Sequence, residues 1–272
     1  MLTTTYVPGA PNWLDLGSPD LETSRTFYAA VLGWEFRSAG PEGGGYGFFT
    51  SDGKTVAGLG PLDKGARPAW TVYFHTADAD ATAKAVESAG GRVRVAPKDV
   101  FSHGRMAAFT DPTGAEFAVW QPKETGGLEA VAVPGSLAWT ELYTTDAKAA
   151  KDFYRAVFSW QMDDKEMGEG LTYALLRPSG GGPGTEHGGL MQLLPVNLEA
   201  GSTPEWHPYF EVADCDAAAT KAVDDGAATL IPPTNAPGIG RFAMFLDPVD
   251  ALFAVLQSDR RGQGGQTGQT GR

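Results

Sequence analysis

The chain states one pattern twice. Trp13-Leu14-Asp15-Leu16-Gly17-Ser18-Pro19-Asp20, Phe27-Tyr28 and Val31-Leu32-Gly33-Trp34 return 126 residues later. The second set reads Trp139-Thr140-Glu141-Leu142-Tyr143-Thr144-Thr145-Asp146, Phe153-Tyr154 and Val157-Phe158-Ser159-Trp160. Each copy reads as a short strand with period-two alternation, a turn, and a helix capped by Asp. Leu21, Phe27, Tyr28, Val31 and Leu32 fall on one helical face, and the second copy keeps most of it. Further along the same duplication continues at an offset of 136: Tyr73-Phe74 with Tyr209-Phe210, Gly104-Arg105 with Gly240-Arg241, Asp111-Pro112 with Asp247-Pro248. The extra ten residues fall in the Gly- and Pro-rich stretch 178–189, which reads as an elongated hairpin loop. Such a chain must fold as two similar halves.

Within each half the pattern restarts. After the first strand and helix come strands around 46–50 and 56–60, joined by the tight turn Ser51-Asp52-Gly53-Lys54. A new strand at 70–75, an Asp78-led helix ending on Gly90-Gly91, and strands near 93–95, 105–110 and 115–120 follow. The boundaries expected are a first domain over 1–122, a linker over 123–134, a second domain over 135–258, and a disordered Gly-, Gln- and Thr-rich tail over 259–272.

Composition narrows the function classes. With 42% hydrophobic residues in 272, the chain can bury two medium cores. A formal charge of −12 would repel nucleic acid and anionic membrane surfaces alike. No apolar run approaches a spanning helix, and Met1-Leu2-Thr3-Thr4-Thr5 has no signal-peptide character. One cysteine, Cys215, allows no internal disulfide, so a reducing cytoplasm is the expected location. Cys215 itself, opposite Ala79, reads as surface packing at the start of a helix.

The duplicated strand–helix–strands module, the Asp-led helix with Phe-Tyr in its middle, and Asp-Pro-x-Gly before the last strand resemble the vicinal oxygen chelate superfamily. That superfamily includes glyoxalases, extradiol dioxygenases and bleomycin-resistance proteins. The resemblance spans Val7 to Gln257 in two copies. Within the superfamily the chain looks most like two-domain actinobacterial proteins often labelled hydroxylases. It implies an α+β fold of tandem duplicated domains, each of two βαβββ modules whose mixed sheet curls into a cup around a small-molecule site.

Catalytic members hold a divalent ion in that cup through four positions. Carried over, these fall on Trp13, near Gly58, Val72 and Ala118, and on Trp139, near Gly189, Pro208 and Ala254. Indole, hydrogen and aliphatic carbon supply no ligand for a divalent ion. A two-residue slip would bring in Asp15 and Glu116, or Glu141 and His187, too few alone for a tight site. No metal, no cofactor and no catalytic residue is therefore assigned.

The binding residues expected are Trp13, Asp15, Phe48, Val72, Phe74, His103, Glu116, Ala118 and Trp120 in the first cup, with Trp139, Glu141 and Phe210 in the second. Inward parity on the strand at 70–75 is assigned to Val72 and Phe74, which turns His75 and, by analogy, His207 away. Flat side chains on cup walls suit a planar guest, and the acids suit a hydroxyl or amine, or a general base. Asp15 and Glu116 share a bland alternative, lying at strand ends either solvated or paired with Arg105 or Arg25. Trp34 and Trp160 read as core anchors. The first cup is favoured as the working one.

These features point to a metal-free protein binding a hydrophobic planar metabolite, of aromatic polyketide or drug-like type, in a sequestering or biosynthesis-accessory role. An enzyme of the same superfamily (lyase, isomerase or dioxygenase/hydroxylase), with Asp15 or Glu116 as base or with displaced metal ligands, is the alternative. Whether the chain is an enzyme stays open. Partners expected are a hydrophobic or aromatic small molecule, no nucleic acid and no membrane, with the chain a monomer or homodimer.

Overall fold

The computed structural model describes residues 2–62, 65–168 and 171–259. In the first half the order is β1 (Pro11–Ser18), α1 (Leu21–Leu32), β2 (Glu35–Ser38), β3 (Gly47–Ser51), β4 (Lys54–Pro61), β5 (Ala69–His75), α2 (Ala79–Ser88), β6 (Arg92–Val100), β7 (Gly104–Thr110) and β8 (Glu116–Pro122). The second half repeats it: β9 (Leu137–Thr144), α3 (Ala147–Phe158), β10 (Gln161–Gly168), β11 (Leu171–Arg177), β12 (Gly188–Gln192), a short α4 (Pro195–Glu199), β13 (Glu205–Glu211), α5 (Cys215–Asp224), β14 (Ala228–Ala236), β15 (Gly240–Leu246) and β16 (Leu252–Ser258). Among the described residues no helix is long and apolar enough to cross a membrane.

Each half makes one eight-stranded mixed sheet, ordered β2-β3-β4-β1-β5-β8-β7-β6 and β10-β11-β12-β9-β13-β16-β15-β14. The two βαβββ modules of a half meet where β1 runs antiparallel to β5, and β9 to β13. Each of the four helices that open a module starts on an Asp whose carboxylate accepts first-turn backbone N–H groups: Asp20, Asp78, Asp146 and Asp214. The expected Gly33 stop adopts the left-handed conformation, and Ser159 takes the same one in the copy. The tail from 260 onward lies outside the described residues.

The halves pack through the helix-bearing faces of their sheets, and the contact is nearly two-fold symmetric. Phe27, Tyr28 and Val31 of α1 share a core with Phe210, Phe245, Phe253 and the alanines of α5. Phe153, Tyr154 and Phe158 of α3 share the other with Val72, Phe74, Phe109, Phe117 and the apolar face of α2. The Tyr28 hydroxyl donates to Asp247 Oδ2 at 3.0 Å, and Tyr154 donates to Asp111 Oδ2 at 3.1 Å. In turn Trp70 donates to Tyr28 at 2.9 Å and Trp206 to Tyr154 at 2.7 Å. The other oxygen of each aspartate caps its own turn, Asp111 accepting from the N–H groups of Thr113, Gly114 and Ala115. The Asp of each Asp-Pro turn thus does two jobs: it shapes the turn and bolts it to the opposite half.

This packing corrects one parity assignment. Val72, Phe74 and Phe210 are fully buried between the halves rather than in the cups. The cup-side residues of these strands are Tyr73 and Tyr209. On β5 and β13 the even-numbered residues are apolar (Trp70, Val72 and Phe74; Trp206, Pro208 and Phe210) and the odd-numbered ones more polar (Thr71, Tyr73 and His75; His207, Tyr209 and Glu211), so alternation separates two faces without telling which is concave. Trp34 and Trp160 are core anchors as expected, donating across the interface to the carbonyls of Gly135 and Gly9 at 2.7 and 2.9 Å.

Candidate functional site

The concave face of the first sheet encloses a cavity of about 1120 Å³. Trp13 and Asp15 reach it from β1, Phe48 from β3, Tyr73 from β5, Met106 from β7 and Trp120 from β8, while Tyr46 approaches from the turn before β3. Residues 124–129 fold back over the cup and line it together with Tyr6. This strap is pinned at several points. Trp120 Nε1 donates to the Thr125 carbonyl at 2.8 Å, the Tyr6 hydroxyl to the Leu128 carbonyl at 2.6 Å, and the Leu128 N–H to the Asn12 carbonyl at 2.9 Å. His103 borders the mouth with Nδ1 3.1 Å from Thr125 Oγ1. The exposed Phe101 stands beside it on the β6–β7 turn.

Asp15 presents its carboxylate on the strand wall of this cup, while Glu42, Glu124 and Glu129 line it elsewhere. Both Tyr46 and Tyr73 donate to Asp15 Oδ2, at 3.2 and 3.0 Å, and Trp13 Nε1 donates to the Tyr46 hydroxyl at 3.2 Å. Among the described residues no hydrogen bond reaches Oδ1. Burial pushes the Asp15 carboxyl up to about 6, against the lowering effect of the two phenols. Such a group is poised between accepting and giving a proton near neutral pH.

The second cup repeats the wiring and fills the space. Trp139 Nε1 donates to the Tyr173 hydroxyl at 3.0 Å, and Tyr173 and Tyr209 donate to Glu141 Oε1 and Oε2 at 2.6 and 2.7 Å. His207 Nε2 lies 3.4 Å from Glu141 Oε2, and the Tyr143 ring covers the imidazole with centroids 4.6 Å apart. Tyr209, Met244, Leu252, Ala254 and Leu256 form a buried cluster, with Trp139, Tyr143 and Phe242 packed against it. Leu256 stands where the first cup has Trp120, and Phe242 where it has Met106. Burial works to raise Glu141, but the imidazole beside it and the two phenols outweigh that and hold it below the ordinary value.

Of the residues expected from sequence, Trp13, Asp15, Phe48, His103 and Trp120 meet around the first cavity. Ala118, the parallel-strand partner of Tyr73, is fully buried in the core and is not among the residues that line the cavity. Glu116 lies outside at an exposed strand end, paired with Arg94 at 2.6 Å rather than with Arg105 or Arg25. Trp139 and Glu141 belong to the filled cup. His207, turned away by the parity assigned above, instead faces Glu141, since β5 and β13 present their odd-numbered residues to the concave side. His187 is buried between the halves against Trp160 and Phe74, and burial lowers its imidazole to about 3. Tyr46, Tyr73, Tyr173 and Tyr209 went unnoticed as site residues, although each acid has two tyrosines that recur with it in both copies. The strap over 124–129 carries no local sequence signal of its role.

The ion-ligand positions implied by the family can now be tested on geometry. Asp15 pairs across β1 and β4 with Gly58, and Glu141 across β9 and β12 with Gly189. A Cβ on Gly58 would overlap the Tyr46 hydroxyl, and one on Gly189 would overlap that of Tyr173. Each glycine therefore gives its side-chain space to the tyrosine that donates to the acid. Trp13, Gly58 and Ala118 add no oxygen or imidazole nitrogen to Asp15, so this set does not fit a divalent ion.

Comparison with known proteins matches this architecture. The model of the Glyoxalase/Bleomycin resistance protein/Dioxygenase superfamily matches residues 10–119 and again 136–255. The chain is 41% identical over 270 residues to the anthracycline biosynthesis protein DnrV of Streptomyces peucetius, covering 93% of this chain and 95% of that one. Among solved structures, the Mn(II)-bound glyoxalase from Novosphingobium aromaticivorans aligns with a TM-score of 0.65 at 17% identity, over 92% of this chain and 83% of that one. The 2,2',3-trihydroxybiphenyl 1,2-dioxygenase from Sphingomonas wittichii aligns with 0.64 at 15% identity, over 93% and 91%. With both halves matched in order, the chain belongs to the Glyoxalase/Bleomycin resistance protein/Dioxygenase superfamily.

Proposed function

We propose that the chain binds a planar aromatic metabolite in its first cup, without a metal ion, as a participant in aromatic polyketide biosynthesis. One observation carries this reading: a cavity of about 1120 Å³ walled by Trp13, Phe48 and Trp120 around one partly unsatisfied carboxylate. Flat rings stacked or edge-on to these side chains bury large apolar area, and Asp15 orients the guest through a hydroxyl or amine. The likeness to a protein named for anthracycline biosynthesis supports the polycyclic aromatic class. The donor chemistry around Asp15 supports independence from an ion.

The test is a titration of intrinsic tryptophan fluorescence with hydroxylated anthraquinones, with and without EDTA. Saturable quenching unaffected by the chelator is expected. Trp120→Ala should weaken binding about tenfold, the worth of one buried aromatic wall. Binding that appears only with a stoichiometric transition metal would sink the metal-free reading.

The state of Asp15 supports a second reading, proton-transfer catalysis. A carboxyl raised to about 6, with Oδ1 unbonded among the described residues, suits a general base for an acidic phenol or a carbon beside a carbonyl. Under that reading Asp15→Asn abolishes conversion of a bound compound while leaving the compound bound.

A further inference from the structure

The two cups provide an internal comparison of one acid in two surroundings. On β9, Glu141 faces His207 across the antiparallel pair with β13; on β1, Asp15 faces Thr71 in the same register with β5. The second half thus supplies its acid with a protein imidazole at 3.4 Å, covered by Tyr143. The first half has Thr71 where the imidazole would be and Gly17 where its cover would be. Both tyrosine hydroxyls of the first cup converge on Oδ2, whereas in the second they divide between Oε1 and Oε2. Asp15 therefore keeps an oxygen that the corresponding Glu141 has committed.

We infer that Asp15 Oδ1 is the subsite for a basic nitrogen carried by the ligand, so that the first cup selects cationic planar aromatics over neutral and anionic ones. The ligand's ammonium or protonated heterocycle takes the place beside the acid that the His207 ring holds in the second cup. Aromatic faces around the carboxylate favour the same charge, since indole and phenol rings attract cations. The rim poses no positive barrier: Glu42, Glu124 and Glu129 accompany Arg37 and Lys98 there. An ammonium on this carboxylate makes a charge-assisted contact, stronger than a neutral hydrogen bond to the same oxygen.

This inference rests on the reading of the first cup as an aromatic site, and matched probes separate the two. The full chain is titrated with 1-pyrenemethylamine, 1-pyrenemethanol and 1-pyrenecarboxylate at pH 7.5, following tryptophan quenching. The amine should bind at least about tenfold tighter than the alcohol, with the carboxylate weakest. In Asp15→Asn the preference of amine over alcohol should fall to within about threefold. Thr71→His, which places an imidazole where His207 stands in the copy, should weaken the amine selectively. Equal affinity for the three probes, or a preference that survives Asp15→Asn, overturns the cation subsite and leaves the aromatic site standing. Absence of saturable quenching by all three removes both.

Discussion

One cup holds its acid closed and the other holds it open, although the two share wiring, strand order and register. Trp139, Tyr173, Glu141 and Tyr209 reproduce Trp13, Tyr46, Asp15 and Tyr73 bond for bond in type. What differs is the shell around them. In the second half Tyr143, His207, Phe242 and Leu256 bring bulk and an imidazole to the acid; in the first, Gly17, Thr71, Met106 and Trp120 leave a cavity. A conserved polar framework between copies therefore does not imply a conserved purpose. Buried polar groups that satisfy one another specify a packed interior, and the same groups with one oxygen spare specify a place for a guest.

The largest effect expected from this contrast is on stability. Glu141→Ala strips two phenols and an imidazole of their buried partner and should cost about 3–5 kcal/mol. Asp15→Ala removes a group that borders a cavity and should cost under about 2 kcal/mol. Urea unfolding of the two variants measures the difference; equal losses would mean that both cups serve the fold alike.

Next come the bolts between the halves, where symmetry rather than asymmetry is expected. Tyr28→Phe takes the hydrogen-bond partner from Asp247 Oδ2 and from Trp70 Nε1, and Tyr154→Phe does the same to Asp111 Oδ2 and Trp206 Nε1. Each should destabilise by about 1–3 kcal/mol, and the two by similar amounts. A large inequality in their unfolding midpoints would show that only one face of the interface bears on stability.

The smallest effect separates the two acids by the sign of their pH dependence. Asp15 is raised by burial to about 6, so the folded state holds this proton more tightly than the unfolded chain does. Its ionisation costs nothing below about pH 4, and it destabilises progressively as pH rises to about 6. Because the side chain borders a cavity open to water, the cost is at most about 2 kcal/mol. Glu141 is held below its ordinary value, so its contribution is present above the unfolded pKa and is lost as pH falls through the folded one. Melting Asp15→Asn and Glu141→Gln from pH 3 to 8 reads this directly. Relative to the parent, the first should gain between pH 4 and 7, and the second should recover ground only under acid.

Much of this molecule is legible in its letters. The recurrence of Trp, acid, Asp cap and Phe-Tyr at fixed offsets identifies two halves and four modules, because a strand–helix–strands unit needs those types at those spacings. Trp13, Asp15 and Trp120 could be named as cup residues, because the resemblance assigns Trp13 and Ala118 to the cup and the two-residue repeat of a strand carries that face to Asp15 and Trp120. The face of β5 and β13 could not be named. Val72, Tyr73 and Phe74 are all buried and all apolar in body, and only the packing of α3 against Phe74 shows which side is convex. Likewise His207 and Thr71 look unrelated until the antiparallel register sets them beside Glu141 and Asp15.

Sequence alone determined the repeats, the caps and the acid on each first strand, since these depend on residues near one another in the chain. Tertiary structure decided which acid is left with a spare oxygen, because that depends on side chains brought in from strands dozens of residues away. Short-range chemistry writes a pattern that spacing reveals. Whether a concavity is filled or empty is a matter of volume, and volume is settled only when the sheet has curled.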